Sequence, residues 1–166
     1  MGLLYLRIRA LRMRLGYNPN NHQLLRCALL ARLRGFQVQK NRRIVAIVDD
    51  DESVRDAIKR LMRSMGLAAE VFASAEEFLG SPDLNRTGCL VADFNMPNMS
   101  GLDLHHSLSL QRKEIPTILI TAYPSDDVRA RALQAGVIGY LTKPFSDHEL
   151  LSYVRTALDR ENGSTS

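Results

Sequence analysis

Tryptophan is absent from this 166-residue sequence, and cysteine occurs only twice. The two cysteines, Cys27 and Cys89, form neither a metal-ligand spacing nor a disulfide framework, so we expect reduced thiols. A membrane-spanning helix needs roughly 18–20 apolar residues, and no segment approaches that length. Arginines between residues 7 and 14 interrupt any apolar core of a secretory leader. These absences predict a cytoplasmic protein.

Acidic residues are missing altogether from the first 43 positions, which hold ten lysines and arginines. The other 12 basic residues share the rest of the chain with all 18 acidic ones, which gives that part a net charge of −6. The net charge of +4 for the whole chain therefore averages two unlike pieces. We predict a basic extension, 1–43, an acidic domain, 44–160, and a polar tail, 161–166.

The basic extension has three competing interpretations. The first is a disordered segment, which could result from a start codon placed too far upstream. The second is an Arg-rich helix that lies on an anionic membrane. The third interpretation is contact with nucleic acid or an acidic partner. A turn at 18–20 precedes a candidate helix at 22–35, but the pattern does not choose among the three.

From Ile44 onward, short apolar runs alternate with segments of helical spacing. The runs are RIVAIV, AAEVFA, GCLVADF, IPTILITA and VIGYLTK. This alternation predicts right-handed βαβ connections and a parallel α/β sheet with helices on both faces. The first helix is expected to use Val54, Ile58, Leu61 and Met65 as its apolar face. In such doubly wound domains, ligands bind beyond the carboxyl ends of the strands.

Polar residues stand at those strand ends, where apolar residues would pack better. The first strand ends in three aspartates, 49–51, the third in Asp93, the fourth in Thr121, and the fifth in Thr142, Lys143 and Pro144. Two carboxylates ~5 Å apart repel by roughly 3 kcal/mol at an effective dielectric of 20. A cluster of three would therefore raise its own pKa values or recruit a cation.

The oxygen-only character of this cluster favours Mg²⁺ over zinc or copper, because no histidine or cysteine stands nearby to add a softer ligand. Lys143 adds a compact positive charge and Thr121 a hydroxyl donor. Together these groups predict a receptor for a phosphoryl group on Asp93, since aspartate is a known covalent acceptor.

Four segments carry a family resemblance: IVDDDESVR, VADFNMPNMSG, ITA and LTKPF. They occur in order and resemble the motifs of the bacterial response-regulator receiver domain. VRDAIKRLMRSMG and AGVIGYLTKPF are most similar to its nitrogen-fixation-regulator subgroup. The resemblance covers Ile44 to about Arg160. It implies a flavodoxin-like sheet of five parallel strands in the order 2-1-3-4-5.

The resemblance also assigns roles to the acidic residues. Asp93 occupies the phosphoacceptor position, and Asp49 and Asp50 match the acidic pair that binds Mg²⁺. The backbone carbonyl of Asn95 matches the remaining protein ligand of the metal. Asp51 is expected to face solvent or to cap the first helix.

Three further positions match the family's switch and phosphate-pairing residues. Thr121 matches the hydroxyl that turns toward the phosphoryl group, and Tyr140 the aromatic that moves with it, although plain core packing also explains a tyrosine there. Lys143 matches the phosphate-pairing lysine, which a cis peptide bond usually joins to Pro144.

The neighbouring pair His105 and His106 is expected on the surface.

Two departures from the subgroup bear on how long a phosphoryl group would survive. The subgroup often carries arginine where this chain has Asn95, and a turn with glycine and histidine where it has residues 122–125. Side chains at both places border the path of the hydrolytic water in the family. The lifetime of the phosphoryl group therefore does not follow from the resemblance.

The resemblance implies a signalling role in a two-component phosphorelay, with a histidine kinase or phosphotransfer protein as donor. Because the sequence ends at Ser166 without a helix-turn-helix domain, we expect no direct DNA binding. Output would pass to another protein through the face from about Asp126 to Arg160. We expect the domain to contribute to its own phosphorylation and not to act as a turnover enzyme. The alternatives are a pseudo-receiver that only binds partners and, less consistent with the order of the motifs, a haloacid-dehalogenase-like phosphatase.

Overall fold

The computed structural model describes the backbone of residues 43–162 and the side chains of residues 43–159. Predictions about residues 1–42, including Cys27, and about positions 163–166 lie outside the described residues. Arg43, the last residue of the predicted extension, is described and exposed.

One parallel sheet of five strands organises the described chain, in the order β2-β1-β3-β4-β5. This confirms the predicted fold and strand order. The strands are β1 Ile44–Val48, β2 Ala69–Phe72, β3 Thr87–Asp93, β4 Thr117–Thr121 and β5 Gly139–Thr142.

Within residues 43–162, four α-helices and one short 3₁₀ helix connect the strands, and a fifth α-helix follows β5. They are α1 Glu52–Ser64, α2 Ala75–Leu79, the 3₁₀ helix Pro82–Arg86, α3 Gly101–Leu110, α4 Asp126–Gln134 and α5 Asp147–Asn162. Helix α5 thus extends two residues into the predicted polar tail. None of these helices combines the length and apolar character needed to span a bilayer.

The central strands β1, β3 and β4 are buried along their whole length, and β1 is apolar throughout because both of its faces are covered. Successive side chains of a strand point to opposite faces. Val45 and Ile47 accordingly pack in one core with residues of α1 and α5, while Ala46 and Val48 pack in a second core with residues of α2 and α3. Burying a Val, Leu or Ile side chain contributes about 1.5–3 kcal/mol, so an unbroken apolar run stabilises both layers.

Helix α1 departs from its predicted apolar face. Ile58 is buried as expected, but Met62 is fully buried while Met65 is 42% exposed. The reason is that α1 ends at Ser64, with Met65 as its C-cap, and the chain then turns at Gly66 with a φ of +70°. A residue beyond the last turn no longer follows the helical phase that the pattern assumed.

His105 is the clearest correction, because the prediction of a surface histidine is wrong for it and holds only for His106. The His105 side chain lies inside the domain, and the residue is 8% exposed. Its Nδ1 lies 3.0 Å from Thr117 Oγ1 and its Nε2 lies 2.9 Å from the carbonyl oxygen of Ala135. One imidazole therefore ties α3 to the start of β4 and to the end of α4.

Replacing His105 by alanine should lower the free energy of unfolding by about 1–3 kcal/mol, because it removes two buried hydrogen bonds. The matched change His106→Ala, at an exposed position of the same helix, should stay within about 0.5 kcal/mol of the wild type. Urea unfolding of both variants measures the difference. Equal losses in the two variants would contradict the structural role of His105.

Candidate functional site

The carboxyl ends of four strands bring the predicted site residues to one edge of the sheet. Val48 pairs with Ala92 across β1 and β3, so the next residues, Asp49 and Asp93, lie side by side. On the other side of β3, Asp93 pairs with Ile120. At the outer edge, Thr121 pairs with Thr142, the residue before Lys143. The register alone therefore gathers groups that are far apart in the sequence.

Lys143 joins the two buried aspartates. Its Nζ lies 2.9 Å from Asp49 Oδ2 and 2.6 Å from Asp93 Oδ1. The two carboxylate side chains are 2% and 7% exposed, whereas that of Lys143 is 23% exposed. The ammonium group of Lys143 therefore lies between two of the acids. The peptide bond from Lys143 to Pro144 is cis, as predicted.

Backbone amides hold the other two carboxylate oxygens. The amide of Asp51 donates to Asp49 Oδ1 at 2.9 Å, and the amide of Asn95 donates to Asp93 Oδ2 at 2.7 Å. Every oxygen of the two carboxylates thus has a donor, and hydrogen bonds to charged acceptors are stronger than neutral ones. The orientation of both acids is fixed before any ligand arrives.

Glycine closes the loop that follows Asp93. Gly101, at the start of α3, packs directly against the backbone carbonyl of Asp93, and a Cβ atom there would overlap that oxygen and press on Leu119. The turn after β3 is therefore tight enough to require a residue without a side chain. This contact fixes the distance between α3 and the end of β3.

The pKa values of Asp49 and Lys143 are both raised, for different reasons. Burial raises the pKa of Asp49, although hydrogen bonds from Lys143 and from the Asp51 amide work against it. Burial would lower the pKa of Lys143, but the hydrogen bonds and charges of Asp49 and Asp93 outweigh it and raise the pKa. Lys143 is therefore a protonated donor at neutral pH.

Asp50 stands apart from this pair. Its side chain is exposed, and its carboxylate accepts no hydrogen bond within the described part of the chain. Asp51 behaves as predicted, because it caps α1 by accepting from the amide of Ser53 at 2.8 Å. The structure thus brings Asp49 and Asp93 together on one ammonium group, and it does not place the Asp50 carboxylate in contact with them.

The donor set fits Mg²⁺, which does not need a complete cage of protein ligands. Among residues 43–159, no three side chains of His, Cys, Asp or Glu gather as a complete ligand set. Mg²⁺ commonly keeps several waters and takes only one or two carboxylates from the protein. One ammonium group also leaves two buried carboxylates undercompensated, with Asp50 adding a further negative charge nearby. The edge is suited to a hard divalent cation.

Asn95 links the acceptor loop to Thr121, a contact that the sequence analysis missed. Its side-chain amide donates to Thr121 Oγ1 at 3.3 Å, and the amide of Tyr123 donates to the same oxygen at 3.1 Å. The Thr121 hydroxyl is buried and in this structure contacts Asn95 and Tyr123 instead of Asp93. The sequence had pointed to the carbonyl of Asn95 and to its departure from the subgroup, but not to this contact, because a contact across 26 positions depends on the fold.

Tyr140 lies in the core with a buried hydroxyl group that has no hydrogen-bond partner among the described residues. Its ring packs in the same apolar cluster as Val137 and Leu119. Core packing therefore explains the ring but not the hydroxyl, since a buried polar group without a partner costs about 1–3 kcal/mol.

Comparison with known proteins gives the same picture. Residues 45–155 match a family model described as the response regulator receiver domain. The response regulator protein TodT of Pseudomonas putida is 40% identical over 115 residues, which cover 69% of this chain and 51% of TodT. The transcriptional regulatory protein FixJ of Rhizobium meliloti is 37% identical over 114 residues, which cover 68% of this chain and 55% of FixJ.

A solved structure of the response regulator StyR has a TM-score of 0.68 and 38% identity, and the match covers 73% of this chain and 61% of StyR. The similarity to FixJ is consistent with the subgroup suggested by the sequence. This chain spans about half the length of the curated relatives it matches.

Changing Asp49 to asparagine should stabilise the protein at neutral pH. Because folding raises the pKa of Asp49 above its ordinary value of 3.8, ionisation of this group favours the unfolded state. Stability is therefore lost as the pH rises from 3.8 through the raised pKa, and asparagine removes that loss. We expect the variant to gain about 0.5–2 kcal/mol at pH 7 and less at pH 3. Urea unfolding across this pH range checks it, and a variant less stable than the wild type at pH 7 contradicts it.

Proposed function

The chain belongs to the response regulator receiver domain family, and we propose that it is a Mg²⁺-dependent receiver phosphorylated on Asp93 in a phosphorelay. The observation that carries the proposal is the pair of contacts from Lys143 Nζ to Asp49 and Asp93. These contacts put a fixed positive charge beside a buried nucleophile. The donor would be a histidine kinase or a phosphotransfer protein.

The transfer itself needs little beyond position and charge. A carboxylate oxygen of Asp93 forms the new bond to phosphorus while the bond from phosphorus to the donor breaks, and the electron pair of that bond leaves with the donor. Catalysis of such transfers rests mainly on positioning and electrostatic stabilisation. Lys143 and the Asn95 amide already hold Asp93 in one orientation, and Lys143 would pair with the phosphoryl oxygens.

Asp49, Asp50, Asp93 and the carbonyl of Asn95 would hold the Mg²⁺ ion. When bound, the ion supplies positive charge that offsets the carboxylates and the incoming phosphoryl oxygens. The chain's own contribution is the pre-set orientation of Asp49, whose two oxygens are fixed by Lys143 and by the amide of Asp51.

Thr121 and Tyr140 would report the change at Asp93. The Thr121 hydroxyl is held by Asn95 and by the backbone of Tyr123, and phosphoryl oxygens on Asp93 would compete for it. Tyr140 has a hydroxyl without a partner in the described chain, so an arrangement that gives it one is favoured. A phosphoryl group would then bias two packings of this region.

Output would pass through the face from about Asp126 to Arg160, which carries α4, β5 and α5. Tyr140 lies on β5, and exposed apolar surface at Leu133 of α4 is available for a protein partner. A partner that recognises one packing of this face would read the phosphorylation state. Contact with a protein, a cytoplasmic location and self-modification without turnover remain parts of this proposal, and the basic extension has no assigned role in it.

The donor protein would approach beside Lys143. An open groove of about 400 Å³ lies there between α1 and the segment after β5, with mostly apolar lining from Val54, Ile58, Leu61, Pro144 and Phe145. Lys143 itself borders the groove. A partner seated there would be next to the acceptor site.

Incubation with a small acyl phosphodonor and Mg²⁺ should add one phosphoryl group to the wild-type chain, as intact-mass analysis would show. We expect no gain without Mg²⁺, none in Asp93→Asn, and a normal gain in the matched surface variant Asp126→Asn. Hydroxylamine should remove the added mass, because an acyl phosphate is labile to it. A folded wild type that gains no mass at any Mg²⁺ concentration would instead support the pseudo-receiver alternative.

Changing Lys143 to methionine should slow phosphorylation by about 10²-fold, since one pre-positioned donor typically contributes 10²–10³-fold to such a step. The control Lys59→Met removes a half-buried lysine that pairs with Glu70, and this variant should react at the wild-type rate. Initial rates at saturating Mg²⁺ measure both. A rate within a factor of three of the wild type for Lys143→Met would contradict the role of the ammonium group.

A further inference from the structure

We propose that Arg55 is a positioning residue that holds the loop of the three aspartates, 49–51, so that the Asp50 carboxylate faces a divalent cation. This inference rests on the proposed function and extends its metal site to a residue that would not itself bind the metal. Arg55 ends the segment IVDDDESVR, and the family resemblance assigns it no role.

The contacts of Arg55 are with the backbone of the loop. Its Nη1 donates to the carbonyl oxygen of Asp49 at 2.7 Å and to that of Asp50 at 3.0 Å. The residue lies in the first turn of α1, half-buried, and its own amide donates to the carbonyl of Asp51 at 3.1 Å. Arg55 thus contacts the backbone of all three aspartates.

The loop has other fixed points, but none of them acts on Asp50. Asp49 is held through its carboxylate by Lys143 and the Asp51 amide. Asp51 is held by its cap on α1. The Asp50 carboxylate accepts no hydrogen bond from the described residues, so its direction is set by its backbone, and the side chain that holds that backbone carbonyl is Arg55.

The two hydrogen bonds also decide which oxygens are available to a cation. A carbonyl oxygen that accepts from a guanidinium group is a poorer ligand for a second positive charge, so the carboxylates are the better ligands that remain in this loop. The Nη1 atom of arginine carries two hydrogens in a fixed plane, one for each carbonyl. Lysine lacks this planar fork and should replace arginine only in part.

Calorimetric titration with Mg²⁺ alone tests the proposal directly. We expect the dissociation constant to rise about 10-fold in Arg55→Gln, as for other groups that orient metal ligands, and to rise less in Arg55→Lys. The matched control Arg60→Gln changes an exposed arginine of the same helix and should bind Mg²⁺ as the wild type does. At saturating Mg²⁺, the Arg55→Gln variant should be phosphorylated at a rate within about threefold of the wild-type rate.

This combination separates positioning from a general structural role, because general damage to the fold would lower the rate at every Mg²⁺ concentration. An unchanged dissociation constant in folded Arg55→Gln would overturn the proposal. If Arg55→Gln does not fold, an unchanged constant in Arg55→Lys would overturn it equally. A wild type that binds no Mg²⁺ would overturn both this inference and the Mg²⁺ dependence in the proposed function. If the wild type binds Mg²⁺ and the Arg55 variants bind it equally well, only this inference is overturned.

Discussion

The ammonium group of Lys143, shared between Asp49 and Asp93, is the interaction on which the rest of the site depends. Lys143 follows β5 at one side of the sheet, while Asp49 follows β1, with β4 and β3 in between. The lysine can reach both acids only if all four strands end at the same level. The pairings of Val48 with Ala92 and of Thr121 with Thr142 set that level. The pairing of the apolar strands therefore also sets the positions of the site residues.

The same interaction keeps the site incomplete. One positive charge holds two buried carboxylates in place but does not neutralise both of them. Burial raises the pKa of Asp49 in spite of the hydrogen bond from Lys143. Stability at this edge is lower than a fully paired core would give, and the remaining negative charge would favour the binding of a cation. The loop contacts of Asn95 and Arg55 make this arrangement rigid without adding any acid.

Short-range pattern predicted much of the fold. The alternation of apolar runs with helical segments was sufficient to predict a parallel sheet, and the polar residues at the strand ends pointed to its carboxyl edge. The family motifs added the strand order. His105 escaped this logic, because adjacent histidines on a helix differ in environment only through the elements that pack on it. The links from Asn95 to Thr121 and from Arg55 to the loop carbonyls are tertiary contacts that no spacing reveals, and the separation of Asp50 from the other acids follows from its backbone.

Among three neighbouring acids, Asp93 is the one proposed to accept the phosphoryl group. Borohydride reduction of the phosphorylated chain, followed by peptide mapping, tests this directly, because reduction converts an aspartyl phosphate into homoserine at the modified position. We predict conversion at position 93 alone, since Asp93 is the carboxylate that Lys143 and the Asn95 amide hold together. Conversion at position 49 or 50, or at none of the three in a chain that gained the phosphoryl mass, would contradict the account.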